Sequence, residues 1–168
     1  MKKFHWQLMS NNILPEDKKA LINFIKSSDR FTNGIKVKEF EKKWSKWLGV
    51  KYSTFVNSGA SANLISLNIL KGLKKNKNEV IVPAFTWNSD VVAVINAGFK
   101  PVFVDISLNN LALDEDLVRK KISKNTAAIF LTHAMGFAGI SNNFIKFIKK
   151  KKIFLIEDVC ESHGAKLN

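Results

Sequence analysis

Apolar and polar positions alternate along this chain in two rhythms. Short runs rich in Val, Ile and Phe occupy residues 54–56, 80–82, 101–104, 127–132 and 153–156. They are too short for helices and are bounded by polar or turn-forming residues, so they predict strands. Between them, apolar residues recur at helical spacing. Ala62, Leu64, Ile65, Leu67 and Ile69 form one such set, and Val91, Val92, Val94 and Ile95 another. Leu117, Val118 and Ile122 follow Asp114 and Glu115, a good first turn. Phe144, Ile145, Phe147 and Ile148 follow Ser141, a suitable N-cap. Strands alternating with helices predict βαβ units and a mostly parallel sheet covered on both faces.

The first fifty residues have a different pattern. Residues 15–28 read as one helix and 37–48 as another, with Phe40, Trp44, Trp47 and Leu48 on its apolar side. The loop Arg30-Phe31-Thr32-Asn33-Gly34 separates them. We therefore expect a helical segment over 1–50 leading into an α/β unit over 51–168.

Composition narrows the class. The 168 residues are 46% hydrophobic and 24% charged, which suits a globular domain with a sizeable core. No apolar stretch approaches the roughly 20 residues that span a bilayer. The start, Met1-Lys2-Lys3-Phe4-His5-Trp6, runs into Gln7, Ser10, Asn11 and Asn12 rather than an apolar core, so no signal peptide is expected. A lone Cys160 excludes an internal disulfide and fits a reducing cytoplasm. No metal-ligand cluster stands out. The net charge of +13 raises the question of nucleic acid, but only Arg30 and Arg119 are arginines among 27 basic residues. Arginine's planar fork is the preferred tool for phosphate and base contacts. The lysine groups 71–77 and 149–152 fall where helices end and complement the helix dipole. A solvated lysine surface is expected, and no nucleic-acid site.

In open α/β sheets, ligands bind at the carboxyl ends of the strands. Three segments at those positions carry chemistry. Asn57-Ser58-Gly59-Ala60-Ser61 leads from a predicted strand into a helix, where small residues and the helix N-terminus suit a phosphate. It reads equally as a plain N-cap by Ser58. Trp87, just past strand 80–82, can stack on a flat heteroaromatic ring or serve as a rim aromatic. Asp158 ends strand 153–156 and can hold a protonated ring nitrogen or cap a helix. Together they form a phosphate cradle, a stacking ring and an acid, the fixed parts of a pyridoxal-phosphate (PLP) site.

In this order and spacing, Asn57-Ser58-Gly59-Ala60-Ser61-Ala62-Asn63, Glu79-Val80-Ile81-Val82-Pro83-Ala84-Phe85-Thr86-Trp87, Pro101-Val102-Phe103-Val104-Asp105-Ile106 and Ile156-Glu157-Asp158 with His163-Gly164-Ala165 resemble the DegT/StrS-type aminotransferases. The resemblance runs from about Arg30 onward. It implies the large domain of an aspartate aminotransferase-like PLP-dependent transferase, of which this chain would be the first part. It further implies transfer of an amino group between glutamate and a nucleotide-linked keto-sugar, in a cytoplasmic homodimer serving polysaccharide or amino-sugar biosynthesis. On that basis Gly59, Ala60 and Ser61 would cradle the cofactor phosphate, Trp87 would stack on its ring, and Asp158 would pair with its nitrogen. Thr32 and Gly34 would lie near a dimer-related active site. His133 would orient its neighbours rather than react, and His163 is grouped with it.

One departure from the pattern bears on activity. Glu161 stands where many members have a glutamine beside the cofactor's phenolic oxygen. Together with Asn63 it resembles the branch of sugar 3-dehydrases, in which histidine replaces the Schiff-base lysine. That lysine would fall beyond Asn168, and Lys166 is too close to Asp158 to match it. The expectation is therefore a truncated chain, silent alone for the family reaction. A non-catalytic binding or regulatory module with a degenerate PLP pocket is the reading from another class.

Overall fold

Parallel pairing organises the larger part of the protein. In the computed structural model, which describes residues 11–167, strands β1 (Glu79–Pro83), β2 (Lys100–Val104), β3 (Thr126–Thr132) and β4 (Phe154–Asp158) form one sheet in the order β2-β1-β3-β4. Every pairing is parallel. The basic start, Met1 to Ser10, lies outside the described residues. Parallel neighbours need crossovers, and helices supply them. These are α4 (Asn88–Asn96), α5 (Glu115–Lys121) and α6 (Asn142–Lys150), with α3 (Gly59–Leu73) preceding β1.

The strand sequences alternate between two cores. Val80, Val82, Ala128 and Phe130 pack with Leu67 and Leu70 of α3 and with Ala93 and Val94 of α4. Ile81, Ile129 and Leu131 pack on the other face with Val118 of α5 and with Phe144 and Ile148 of α6. The central strands β1 and β3 are buried on both faces, which is why they read as unbroken apolar runs. The expected α/β sheet with helices on both faces is present. Asp114 and Ser141 cap α5 and α6 with their side chains, and Glu115 accepts from both the N–H and the hydroxyl of Ser141.

The chain divides between Phe55 and Val56 into two compact units. In the first, Pro15 opens α1 (Pro15–Ser27), and Gly49 stops α2 (Ile35–Leu48) in the left-handed conformation that glycine adopts without strain. Phe40 and Trp44 stack at 5.7 Å on α2, and Phe55 meets Phe40 edge-on.

The expected strand at 54–56 does not form. The Phe55 N–H donates to the Glu41 carboxylate at 2.9 Å, so a side chain of α2 takes the donor that a strand ladder would have used. A run of β-formers becomes a strand only where a neighbour completes its hydrogen bonds.

The burial pattern predicts unequal costs of truncation. Phe130→Ala removes a fully buried ring and should destabilise the protein by about 3–5 kcal/mol. Phe103→Ala, on a half-exposed ring of β2, should stay within about 0.5 kcal/mol. Urea denaturation of both variants checks this, and equal losses would contradict the assignment of the core.

Candidate functional site

The strand register sets the position of the site. Pro83 pairs with Val104 and Thr132 with Asp158, so the carboxyl ends of the strands finish side by side. Beside them opens a cavity of about 620 Å³, within the usual range for small-molecule sites. Ser58, Gly59, Ala60, Trp87, His133, Asp158 and Glu161 are among the residues that line it.

Helix α3 begins at this cavity. The Ser58 hydroxyl accepts from the Ser61 N–H at 3.2 Å, and the Ser58 carbonyl accepts from Ala62. A helix start leaves its first amides without intrahelical partners. Here those of Gly59 and Ala60 are the ones without a partner among the described residues, and they mark the positive end of the helix dipole. A Cβ on Gly59 would come within 3.1 Å of the Cys160 sulfur, so a side chain there would crowd the cavity wall. Donors, dipole and missing Cβ together fit an anionic oxygen cluster such as a phosphate. Trp87, the N-cap of α4, is 71% exposed and has an open ring at the cavity's edge.

Behind this wall lies a buried polar cluster. The Asn63 amide of α3 donates one hydrogen to Asp90 at 3.0 Å and the other to Asp158 at 2.9 Å. Asp90, in the first turn of α4, is fully buried, and its carboxyl is also hydrogen-bonded to the Thr86 hydroxyl at 2.6 Å and the Thr132 hydroxyl at 2.8 Å. Burial raises its pKa above the ordinary carboxylate range, against the hydroxyl hydrogen bonds. Asp158 shifts the other way. Its burial favours the neutral form but is outweighed by the Asn63 amide and by the backbone N–H and thiol of Cys160, so its pKa is lowered. The site thus holds an ionised Asp158 facing the cavity. The Cys160 thiol, bonded to that carboxylate, is pushed up to about 11 and stays protonated at neutral pH.

His133 stands between the two neighbouring strand ends. Its Nδ1 accepts from the Gly139 N–H at 2.9 Å, which leaves the proton on Nε2, 3.0 Å from Glu157. The side chain is buried and both ring nitrogens are engaged. Gly139 can approach this closely because a Cβ there would collide with Ala112. The intervening turn carries Met135 at a φ of 56°, and the Met135 N–H donates to the Glu161 carboxylate at 2.8 Å.

The structure brings most of the sequence-predicted residues together. Gly59, Ala60, Trp87, Asp158, Glu161 and His133 share the cavity. Ser61 does not line it, because its N–H and hydroxyl are both bonded to Ser58. His163 is exposed and is not part of the lining. Thr32 and Gly34 belong to the first unit, where Gly34 is the N-cap of α2. Sequence reasoning missed Asp90, Thr86 and Thr132. An acid in a first helical turn reads as a surface complement to the dipole, and only its complete burial marks it as something else. None of the lining residues is a lysine.

Known proteins share this fold. The DegT/DnrJ/EryC1/StrS aminotransferase family model matches residues 12–168. A GDP-4-keto-6-deoxy-D-mannose 3-dehydratase of Yersinia pseudotuberculosis is 38% identical over 90% of this chain and 40% of its own length. A GDP-perosamine synthase of Vibrio cholerae is 30% identical over 90% of this chain and 41% of its own. A solved GDP-4-keto-6-deoxymannose-3-dehydratase with a trapped PLP-glutamate geminal diamine superposes with a TM-score of 0.86 at 33% identity, covering 98% of this chain and 43% of that one. The fold is that of the sugar aminotransferases. The chain spans about 40% of the length of the curated relatives it matches.

The Asn63 bridge predicts a pH effect. A depressed carboxylate pKa adds stability above the unfolded value, and that stability is lost as pH falls through the folded value. Asn63→Leu removes the largest hydrogen bond that lowers the Asp158 pKa. In the variant, the acid-side loss of stability should begin at a higher pH, read as the urea midpoint across a pH series. An unchanged acid limb would contradict the bridge.

Proposed function

Because the chain belongs to the DegT/DnrJ/EryC1/StrS aminotransferase family, we propose that its cavity is the PLP site of a sugar-nucleotide aminotransferase. The whole protein would move an amino group between glutamate and a nucleotide-linked keto-sugar for surface-polysaccharide or amino-sugar synthesis. On this reading residues 51–168 are the first part of the cofactor domain. The observation that carries the proposal is the convergence of three fitted parts on one cavity: the α3 N-terminus, the open Trp87 ring and the ionised Asp158.

Each part has a physical role. The Gly59 and Ala60 amides hold the phosphate at the positive end of α3, and Ser61 completes that turn through Ser58. Trp87 stacks on the ring and fixes its plane. Asp158 keeps the ring nitrogen protonated, because a nearby carboxylate favours the charged form of a base. The bound cofactor supplies an electron sink for the carbon that loses its proton. His133, tied to Glu157 and Gly139, holds the turn that aims Met135 and Glu161 at the cavity. His163 lies just beyond that wall in sequence and would support it.

The remaining assignments extend the same reading. Thr32 and Gly34 would face the active site of a second subunit in a homodimer. Cytoplasmic placement agrees with the single thiol of Cys160 and with the fact that no helix among the described residues is long and apolar enough to cross a membrane. A second reading, 3-dehydration of the same class of sugar, is favoured by one observation. Glu161 places a carboxylate at the cavity, steadied by the Met135 N–H, where many aminotransferases of the family have an amide.

Cofactor binding tests the proposal without requiring turnover. Adding pyridoxamine phosphate should quench the fluorescence of Trp87, and Trp87→Leu should remove that component. Asp158→Asn should weaken binding about tenfold or more, the equivalent of one charge-assisted hydrogen bond. Inorganic phosphate should compete. Quenching that persists unchanged in both variants would overturn the assignment.

A further inference from the structure

We propose that Asp90 is held as a neutral carboxylic acid that positions Asp158, closing a three-membered ring of hydrogen bonds with Thr86 and Thr132 and sharing the Asn63 amide with Asp158. The number of protons available to these contacts requires it. Three oxygens lie in mutual contact: Thr86 Oγ1 to Thr132 Oγ1 at 2.6 Å, Thr86 Oγ1 to Asp90 Oδ2 at 2.6 Å, and Thr132 Oγ1 to Asp90 Oδ2 at 2.8 Å. Each contact needs one hydrogen, and the two threonine hydroxyls supply two. The third must come from Asp90. An ionised Asp90 would leave one pair of oxygens facing each other at hydrogen-bond distance with no hydrogen between them.

The surroundings agree with the count. Asp90 is fully buried, and among the described residues no lysine, arginine or histidine forms an ion pair with it. An unpaired buried charge is costly, and a carboxyl in that position neutralises instead. The titratable groups that face it are Asp158 of β4 and Cys160 just after it, and Asp158 brings a like charge. Burial and that like charge both raise the Asp90 pKa.

The consequence concerns charge at the cavity. With Asp90 neutral, the Asn63 amide spans one acid and one anion, and the pair carries a single negative charge. That charge sits on Asp158, where the amide and the Cys160 N–H fix its direction. Asp90 is thus a positioning residue that reaches the cavity only through its neighbours. Its protonation stands on the described residues alone, whereas its value for a cationic ring nitrogen rests on the cofactor reading above.

Two spectroscopic measurements test the proposal. Infrared spectra of protein labelled with [13Cγ]aspartate should show, at neutral pH, an isotope-shifted carbonyl band of a protonated acid. That band should be sensitive to D2O and absent in Asp90→Asn. The Asp158 titration, followed by carboxyl 13C NMR, should barely move in Asp90→Asn, because a neutral group replaces a neutral group. It should rise in Asp90→Ala, which dissolves the ring. If Asp90 is ionised, the acid band is missing and Asp90→Asn removes a like charge, so the Asp158 midpoint falls by about one unit or more. Either result overturns the proposal. The infrared band is read in the unsubstituted protein, so the test survives a variant that fails to fold. A protein that shows the band but binds no pyridoxamine phosphate supports the neutral acid and removes the cofactor reading instead.

Discussion

Parallel register is the constraint on which the rest of this structure depends. Because all four strands run the same way, each delivers its last residue to the same edge, and Thr132 and Asp158 end up opposite each other. Helix α3 points its N-terminus toward that edge. The helix brings unpaired amides and positive dipole, and the strand ends bring a carboxylate. Opposite charges therefore meet across one cavity although their residues lie 99 positions apart in sequence, from Gly59 to Asp158. An antiparallel sheet would have scattered the same residues between two ends.

The register alone does not fix side chains to the accuracy that binding needs. That is achieved by hydrogen bonds between elements. The Asn63 amide ties α3 to α4 through Asp90 and to β4 through Asp158, while the two threonines tie the end of β1 and the end of β3 to the same acid. Buried polar groups of this kind are tolerated only when every hydrogen has a partner. On the other side of the strand ends, Glu157 and Gly139 do for His133 what Asn63 does for Asp158. Two small networks thus hold the cavity's back and side walls.

Much of this was legible in the sequence. The apolar runs marked the four strands within a residue or two, and Ser141 and Asp114 announced their helices. The start of α3, Trp87 and Asp158 were legible as candidates because they stand at the ends of apolar runs in an alternating chain. Three things were not. Residues 54–56 have strand composition, yet Phe55 donates to Glu41, and no local pattern reports where a backbone donor will go. The bonding of Ser61 back to Ser58 likewise left no signal in the local pattern. Asp90 was passed over because its burial is a product of tertiary packing, and its partners are four and 42 positions away.

In the proposed function Asp158 meets the protonated ring nitrogen of a bound pyridine cofactor while the α3 N-terminus holds its phosphate. The most direct measurement is the ring-nitrogen chemical shift of [15N]pyridoxamine phosphate bound to the protein, at a pH where the free cofactor's nitrogen is deprotonated. The expected result is the shift of a protonated nitrogen in the unsubstituted protein and of a neutral one in Asp158→Asn. A neutral nitrogen in the bound state of the unsubstituted protein, or a protonated one that persists in Asp158→Asn, would contradict it.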